Sequence, residues 1–266
     1  MEFVKPNLSD ALLAICRVNF ALMLRETKTR YGRLQIGYIW AFLEPILVIS
    51  VLSVVFKYIR MREMPGMPLA QFLISGFIPF MLFRDIVTQS MTGVRRNLQL
   101  LYFPQVQIMD FFTARTLLEF STTLVVFPTL VFLVAFTGYE NVIVHDILGI
   151  FLGLIMISIF GFGIGIGLGA LVPLFPSLQI MVQSVYLRPL FFLSGVFFTI
   201  DMIPEAVRPY ASLNPILQII EYIRSSYFVT YESTYVDFKY LFFTILGTLL
   251  VGLLLQRAFR RYAYRI

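Results

Sequence analysis

The sequence predicts an all-α integral membrane protein with six membrane-spanning helices. Three observations carry this. The chain of 266 residues is 59% hydrophobic and only 14% charged, whereas soluble domains are about 45–50% apolar and about 25% charged. Six stretches come near the ~20 mostly apolar residues that a bilayer-spanning helix needs. Basic residues gather before the first stretch, after the second and after the last, and the positive-inside rule then puts both termini in the cytoplasm. An even number of spans agrees. The net charge of +6 reads as cytoplasmic loops rather than as a nucleic-acid surface.

The first element is not a span. Leu8 to Arg30 reads as a helix lying on the membrane, and its basic end carries the element to Arg33, giving 8–33. Ser9 or Asp10 can cap its start. Leu12, Leu13, Cys16, Phe20, Met23 and Leu24 recur at three- and four-residue intervals as one apolar face. Arg17 and Asn19 interrupt it, so it lies at the interface rather than crossing. It shows no cleavable signal pattern.

The spans are then expected at 38–56, 69–91, 113–136, 147–172, 178–200 and 240–255. A short polar loop with Arg60, Arg62 and Glu63 follows the first, and Arg95 and Arg96 follow the second. The segment 94–104 can form a short amphipathic helix ended near Pro104. It is either an ordinary connection or a docking element. Between the fifth and sixth spans, Pro204, Pro209 and Pro215 leave only short apolar pieces. Two short re-entrant or surface helices are expected there on the external face, within 204–228, since backbone that enters a membrane without crossing must be surrounded by protein or a wet cavity. No repeat or linker divides the chain, so residues 1–266 form one domain.

Glycines 161, 163, 165, 167 and 169 alternate in the fourth span. On a helix they form two faces, Gly161–Gly165–Gly169 and Gly163–Gly167, which serve close packing or a helix that slides. Charges within spans are costly and mark either structural pairs or a hydrated path. They are Glu44, Arg84, Asp85, Asp110, Arg115, Glu119 and Arg188, with Arg115 and Glu119 four apart. Aromatic residues make up 16% of the chain, as interfacial belts or as an aromatic-lined path for sugar along Phe191, Phe192, Phe197, Phe198 and Tyr222.

Several chemistries are excluded. There is no phosphate-binding Gly-x-x-x-x-Gly-Lys-Ser/Thr loop. The single histidine, His145, lies in a polar loop, and the single cysteine, Cys16, permits neither an internal disulfide nor a cysteine-based metal site. The chain is expected to catalyse nothing alone.

Three stretches taken together resemble the permease subunit of ABC-2 type exporters, and more narrowly the capsular polysaccharide export permeases of Gram-negative group 2 capsules. They are Leu24 to Arg33 leading to Gly37, Trp40 and Glu44-Pro45; Asn97 through Phe103-Pro104; and Phe191 to Phe198 through Ile203-Pro204, Asn214-Pro215 and Glu221 to Arg224. The resemblance implies a type V exporter-like transmembrane domain that works as a homodimer with two copies of a cytoplasmic ABC ATPase, which holds the ATP and Mg; no cofactor is expected on this chain. It implies a multi-pass protein of the inner membrane with a lipid-linked polysaccharide as substrate, and a periplasmic co-polymerase and an outer-membrane channel as further partners.

The same resemblance assigns roles. Arg25, Glu26, Lys28, Arg30 and Tyr31 would lie near the ATPase in the interface helix. Arg95, Arg96, Asn97, Leu100 and Tyr102 would belong to the coupling helix, 94–104. The short helices with Glu221, Tyr222 and Arg224 would form an external gate. A substrate path is expected, from the intramembrane charges beside dense aromatics rather than from the resemblance, to include Trp40, Glu44, Arg84, Asp85, Arg188, Phe191, Phe192, Phe197 and Phe198, with Glu221, Tyr222 and Arg224. One departure is Asp110, where many relatives carry a proline shortly after the Phe-Pro pair. An O-antigen or teichoic-acid exporter, or a small-molecule efflux permease, is the alternative within the superfamily. A membrane glycosyltransferase or a secondary transporter is the alternative outside it.

Overall fold

The computed structural model describes residues 8–31, 36–58, 66–97, 99–100, 103, 106–138 and 142–263. In order they form α1 (Leu8–Tyr31), α2 (Ile36–Tyr58), α3 (Leu69–Arg96), α4 (Ile108–Thr137), α5 (Ile147–Leu171), α6 (Ser177–Met181), a π-helical turn (Val182–Leu187), α7 (Arg188–Leu193), a 3₁₀ turn (Ile200–Met202), α8 (Arg208–Ala211), α9 (Pro215–Tyr227) and α10 (Phe238–Ala263). No strand occurs among the described residues. The loop with Arg60, Arg62 and Glu63 lies outside them.

Local chemistry sets the helix ends. Asp110 Oδ2 accepts the Gln107 backbone N–H at 2.8 Å, opening α4 with a capping box. The position that departs from the family pattern is therefore a helix start. Gly138, at φ 68°, closes the same helix in the left-handed conformation. Asp146 caps α5 through the Leu148 N–H at 2.9 Å, and Asn214 caps α9 through the Ile216 N–H at 3.0 Å, with Pro215 at the first helical position.

Among the described residues, five helices are long and apolar enough to cross a membrane: α2, α3, α4, α5 and α10. The fifth stretch, expected as one span over 178–200, is instead a composite of α6, the π turn and α7, and it ends at Leu193. Pro189 explains the break. It has no N–H to give the turn before it, and the ring crowds the carbonyl four residues back; the chain answers with a wider i to i+5 turn. Gly195, at φ 72°, then reverses the backbone.

Close helix approaches fix the packing. Gly161 and Gly165 of α5 meet Phe83, Ile86 and Ser90 of α3, while Gly169 meets Phe112 of α4. Gly163 and Gly167 face Leu249, Gly252 and Leu255 of α10. The positions advance together, so α3, α5 and α10 run parallel, and α4 runs back along α3 and α5. α3 is the most buried of the five, and α2 and α10 the least. Both ends of α9 meet the starting ends of these parallel helices. Tyr227 bonds to Gln71 at 3.3 Å, the Ser226 carbonyl accepts from Asp146 at 2.7 Å, and Gln218 accepts from Asp237 at 3.0 Å. So α9 lies across one face of the bundle and does not traverse it.

At the opposite face α1 packs on α4 through Leu22, Phe111 and Ala114, joined by Val18, Met23 and Leu100. Leu13, Cys16, Phe20 and Leu24 of the expected apolar face stay exposed. The N-terminal helix and the last turns of α10 therefore share the face where α3 and α5 end.

The α5–α10 contact yields a stability prediction. A Cβ on Gly252 would overlap the Gly163 carbonyl oxygen, and one on Gly163 would lie 2.8 Å from the Leu249 backbone nitrogen. Backbone cannot swing aside as a side chain can. Gly252→Ala should cost about 1–3 kcal/mol through overpacking, read as a lower melting temperature of the detergent-solubilised protein. Gly247→Ala, which meets nothing within 4 Å, should leave it unchanged or raised.

Candidate functional site

A cavity of about 520 Å³ lies between α2, α3 and the composite helix. Glu44 and Val48 come from α2; Phe77, Phe80, Arg84 and Thr88 from α3; Gln183, Leu187, Arg188, Phe191 and Phe192 from the composite helix. Five residues singled out in the sequence thus line one space: Glu44, Arg84, Arg188, Phe191 and Phe192. Glu44 lies eight residues into α2, or about 12 Å along it at 1.5 Å per residue. That depth is on the side where α1 lies.

Arg84 is already engaged. Its Nε donates to Asp85 Oδ1 at 2.9 Å, and its Nη2 lies 3.5 Å from Glu44 Oε1. Asp85 and Glu44 turn their other sides toward a separate space of about 50 Å³ that Glu119, Thr122 and Thr123 also line. Arg188 differs: it is exposed on the cavity wall, and among the described residues it makes no hydrogen bond or ion pair.

Aromatic rings continue from the cavity toward the face that carries α9. Phe80 and Phe191 have centroids 5.1 Å apart, Phe191 and Phe197 4.9 Å edge-on, and Phe197 and Phe56 5.8 Å. Phe192 joins Phe191 at 5.3 Å. Trp40 stands 58% exposed on α2, four residues before Glu44 and so on the same helix face. Tyr222 lies elsewhere, edge-on to Phe238 at 5.2 Å.

Glu221 and Arg224 lie outside the cavity. They are 1% and 0% exposed and form a clamp inside the protein. Arg224 donates to the Phe198 carbonyl at 2.9 Å and the Val196 carbonyl at 3.0 Å, and its guanidinium stacks 4.0 Å from the centre of Phe72. Glu221 pairs with it at 3.5 Å and accepts a short hydrogen bond from the Tyr231 hydroxyl. Burial, and then the Glu221 charge, pushes the Tyr231 hydroxyl well up, so it stays protonated as the donor. Gly76 of α3 makes room, since a Cβ there would stand 2.6 Å from Arg224 Nη2. The clamp thus fastens the loop after the composite helix to both α9 and α3.

At the opposite face, residues from the two expected coupling elements meet. Arg25 of α1 donates to Asn97 Oδ1 at 2.9 Å; Asn97 Nδ2 donates to Glu26 Oε1 at 2.9 Å and to the Gly93 carbonyl at 3.0 Å. Arg115 of α4 makes short contacts to Glu26 Oε2 and to Gln89 Oε1 of α3. Arg96, exposed, reaches Gln89 at 3.4 Å. One asparagine and one arginine therefore tie α1, the end of α3 and the start of α4. Leu100 packs beneath, in the α1–α4 contact. In the 94–104 segment, α3 continues to Arg96, and backbone bonds from Leu100 to Asn97 and from Phe103 to Leu100 form successive tight turns. The side chains of Lys28, Arg30, Tyr31 and Arg95, and all of Tyr102, lie outside the described residues.

Sequence reasoning missed Gln89 as a partner of Arg115, and Gln183 as a cavity residue. Gln183 and Arg188 are five apart, so an α-helical reading puts them on different faces. The π turn brings positions five apart toward one face.

The model of the ABC-2 type transporter family matches residues 17–228. The polysialic acid transport protein KpsM of Escherichia coli is 34% identical over 237 residues, covering 89% of this chain and 91% of its own. The capsule polysaccharide export inner-membrane protein CtrC of Neisseria meningitidis serogroup A is 29% identical over 260 residues, covering 98% and 97%. The capsule polysaccharide export inner-membrane protein BexB of Haemophilus influenzae is 27% identical over 262 residues, covering 97% and 96%.

Proposed function

The chain belongs to the ABC-2 type transporter family, and from that premise we propose that it is the permease subunit of a capsular polysaccharide exporter in the inner membrane. The observation that carries this reading is its near-full-length similarity to proteins named for polysialic acid transport and capsule polysaccharide export. The cavity is consistent with it: a wide space with charges and aromatic rings suits a sugar polymer carried on a lipid.

In this reading the composite helix is a further crossing, the fifth of six in chain order. α5 ends at one face and α10, parallel to it, starts at the other, so the intervening chain has to return. Six crossings put both termini on one side, and the basic residues make that side cytoplasmic. α1 lies in the membrane interface, with Leu13, Phe20 and Leu24 toward lipid. Two copies of the chain pair through the exposed apolar faces of α2 and the composite helix, and two ATPase subunits dock beneath α1 and the 94–104 segment. ATP-driven closure of the ATPases moves these elements, and the junction at Asn97 and Arg115 carries the movement into α3 and α4. The path rises from the cavity along the Phe80–Phe191–Phe197 column to the loop held by Arg224. A periplasmic co-polymerase and an outer-membrane channel take the polymer onward.

The test is co-purification with the partner ATPase, followed by ATPase assays with lipid-linked capsular polysaccharide. Stimulation by the glycolipid is expected; a lone subunit fully active in transport would overturn the reading. A second expectation concerns the basic end of α1. Lys28→Glu with Arg30→Glu should cut capsule export at least about tenfold, since like-charge contacts across an interface cost several kcal/mol. Protease mapping of topology should show insertion unchanged.

A further inference from the structure

We propose that Arg188 is the oxyanion-binding residue of the cavity, receiving the phosphoryl or carboxylate group of an anionic glycolipid, while Arg84 is an internally neutralised cation that binds no ligand. The assignment rests on the reading of the cavity as the substrate path.

The two arginines differ in what they have left to offer. Arg84 faces two carboxylates, Asp85 at 2.9 Å and Glu44 at 3.5 Å. Its charge is spent within the protein. Arg188 shares the same cavity, is exposed there, and has no partner among the described residues. A guanidinium at membrane depth without a counter-ion is expensive and normally serves a ligand or a path. Its planar fork matches the paired oxygens of a phosphoryl or carboxylate group.

The surroundings specify the rest of the ligand. Gln183 and Thr88 offer neutral hydrogen-bonding groups beside the cation, as sugar hydroxyls require. Phe77, Phe80, Phe191 and Phe192 supply apolar surface on the same walls. A few polar groups in a largely apolar wall is the usual make-up of a small-molecule site. An inorganic anion would leave that apolar surface unused, whereas an amphipathic sugar-bearing anion uses both. The π turn is part of the device: π turns occur often at functional sites, and this one brings Gln183 to the same wall as Arg188.

The experiment uses the full chain in phosphatidylcholine vesicles. Trp40 is its single tryptophan and shares a face of α2 with Glu44, so its emission reports occupancy of the cavity. The probes are dodecyl glucoside and its phosphate monoester. The phosphorylated probe should bind at least about tenfold more tightly, the worth of one charge-assisted contact. Arg188→Gln should bring that ratio to about one, with affinity for the neutral probe unchanged, and Arg188→Lys should recover most of it. A ratio that survives Arg188→Gln overturns the assignment. So does displacement of the phosphorylated probe by a minor fraction of phosphatidylglycerol in the vesicles, which would make the anion a bulk membrane lipid. Equal binding of both probes by the unaltered chain overturns the assignment and leaves the path reading standing. Binding of neither overturns both.

Discussion

Arg115→Met should abolish export by a complex that still assembles with its ATPase and still hydrolyses ATP at the basal rate. Among the described residues at the α1 face of the bundle, Arg115 touches α1 and α3 at once while standing on α4: it donates to Glu26 Oε2 and to Gln89 Oε1. Its side chain is 6% exposed and that of Glu26 18%. Removing one partner of such a pair strands the other charge, at a cost of about 3–5 kcal/mol. α4 itself has no need of Arg115, because its start is capped by Asp110 and its length is apolar. The loss should therefore fall on the junction rather than on the helix. Glu26→Arg combined with Arg115→Glu keeps an ion pair of the opposite sense. Recovery of polymer-stimulated hydrolysis in that double variant, with both single variants uncoupled, would give the interaction energy as a double-mutant cycle. Equal loss of basal hydrolysis in every variant would instead mean that the pair only holds the subunit together.

What the sequence could show and what it could not divide along physical lines. The long apolar helices were legible because length and composition alone define a span. The glycine faces of α5 were legible because the period of a helix is fixed, and each face meets its own partner, α3 or α10. The convergence of Glu44, Arg84 and Arg188 was legible only as three separate costs, since no local pattern states that residues so far apart share a cavity. The break in the fifth stretch was not legible as a π turn. Pro189 announces a disturbance, but several backbone responses satisfy it. The exposure of Leu13, Phe20 and Leu24 on α1 shows the limit of periodicity. A stripe defines an apolar face without saying whether protein or lipid covers it, and here protein takes the adjoining Leu22. Arg224 and Glu221 were singled out through the resemblance. Their complete burial depends on the loop at Gly195 and on the space left by Gly76, which lie far from them in sequence.

Arg224→Met should free the loop between α7 and the 3₁₀ turn, and Ser194 is where the release can be read. Ser194 is fully buried, beneath a loop whose Val196 and Phe198 carbonyls are both held by Arg224. With Cys16 replaced by serine, Ser194→Cys supplies a single thiol. Its reaction with a membrane-impermeant maleimide then reports opening of the loop. Losing the pair costs about 3 kcal/mol or more, and each 1.4 kcal/mol is a factor of ten, so labelling should accelerate roughly 100-fold or more. Two effects are mixed in that number: a stranded Glu221 charge and two carbonyls without donors. Burial already pushes the Glu221 carboxyl up against the pull of Arg224 and Tyr231, so without Arg224 it rises further and part of the cost is met by protonation. Adding Glu221→Gln separates the effects. Replacing both members of a buried pair by uncharged groups is often nearly neutral for stability, so the melting temperature should return toward that of the unaltered chain. The carbonyls of Val196 and Phe198 would still lack their donors, and labelling should stay fast. If the double variant instead restored slow labelling, the loop would be held by charge balance alone, and the guanidinium's grip on those two carbonyls would have no part in keeping Ser194 covered.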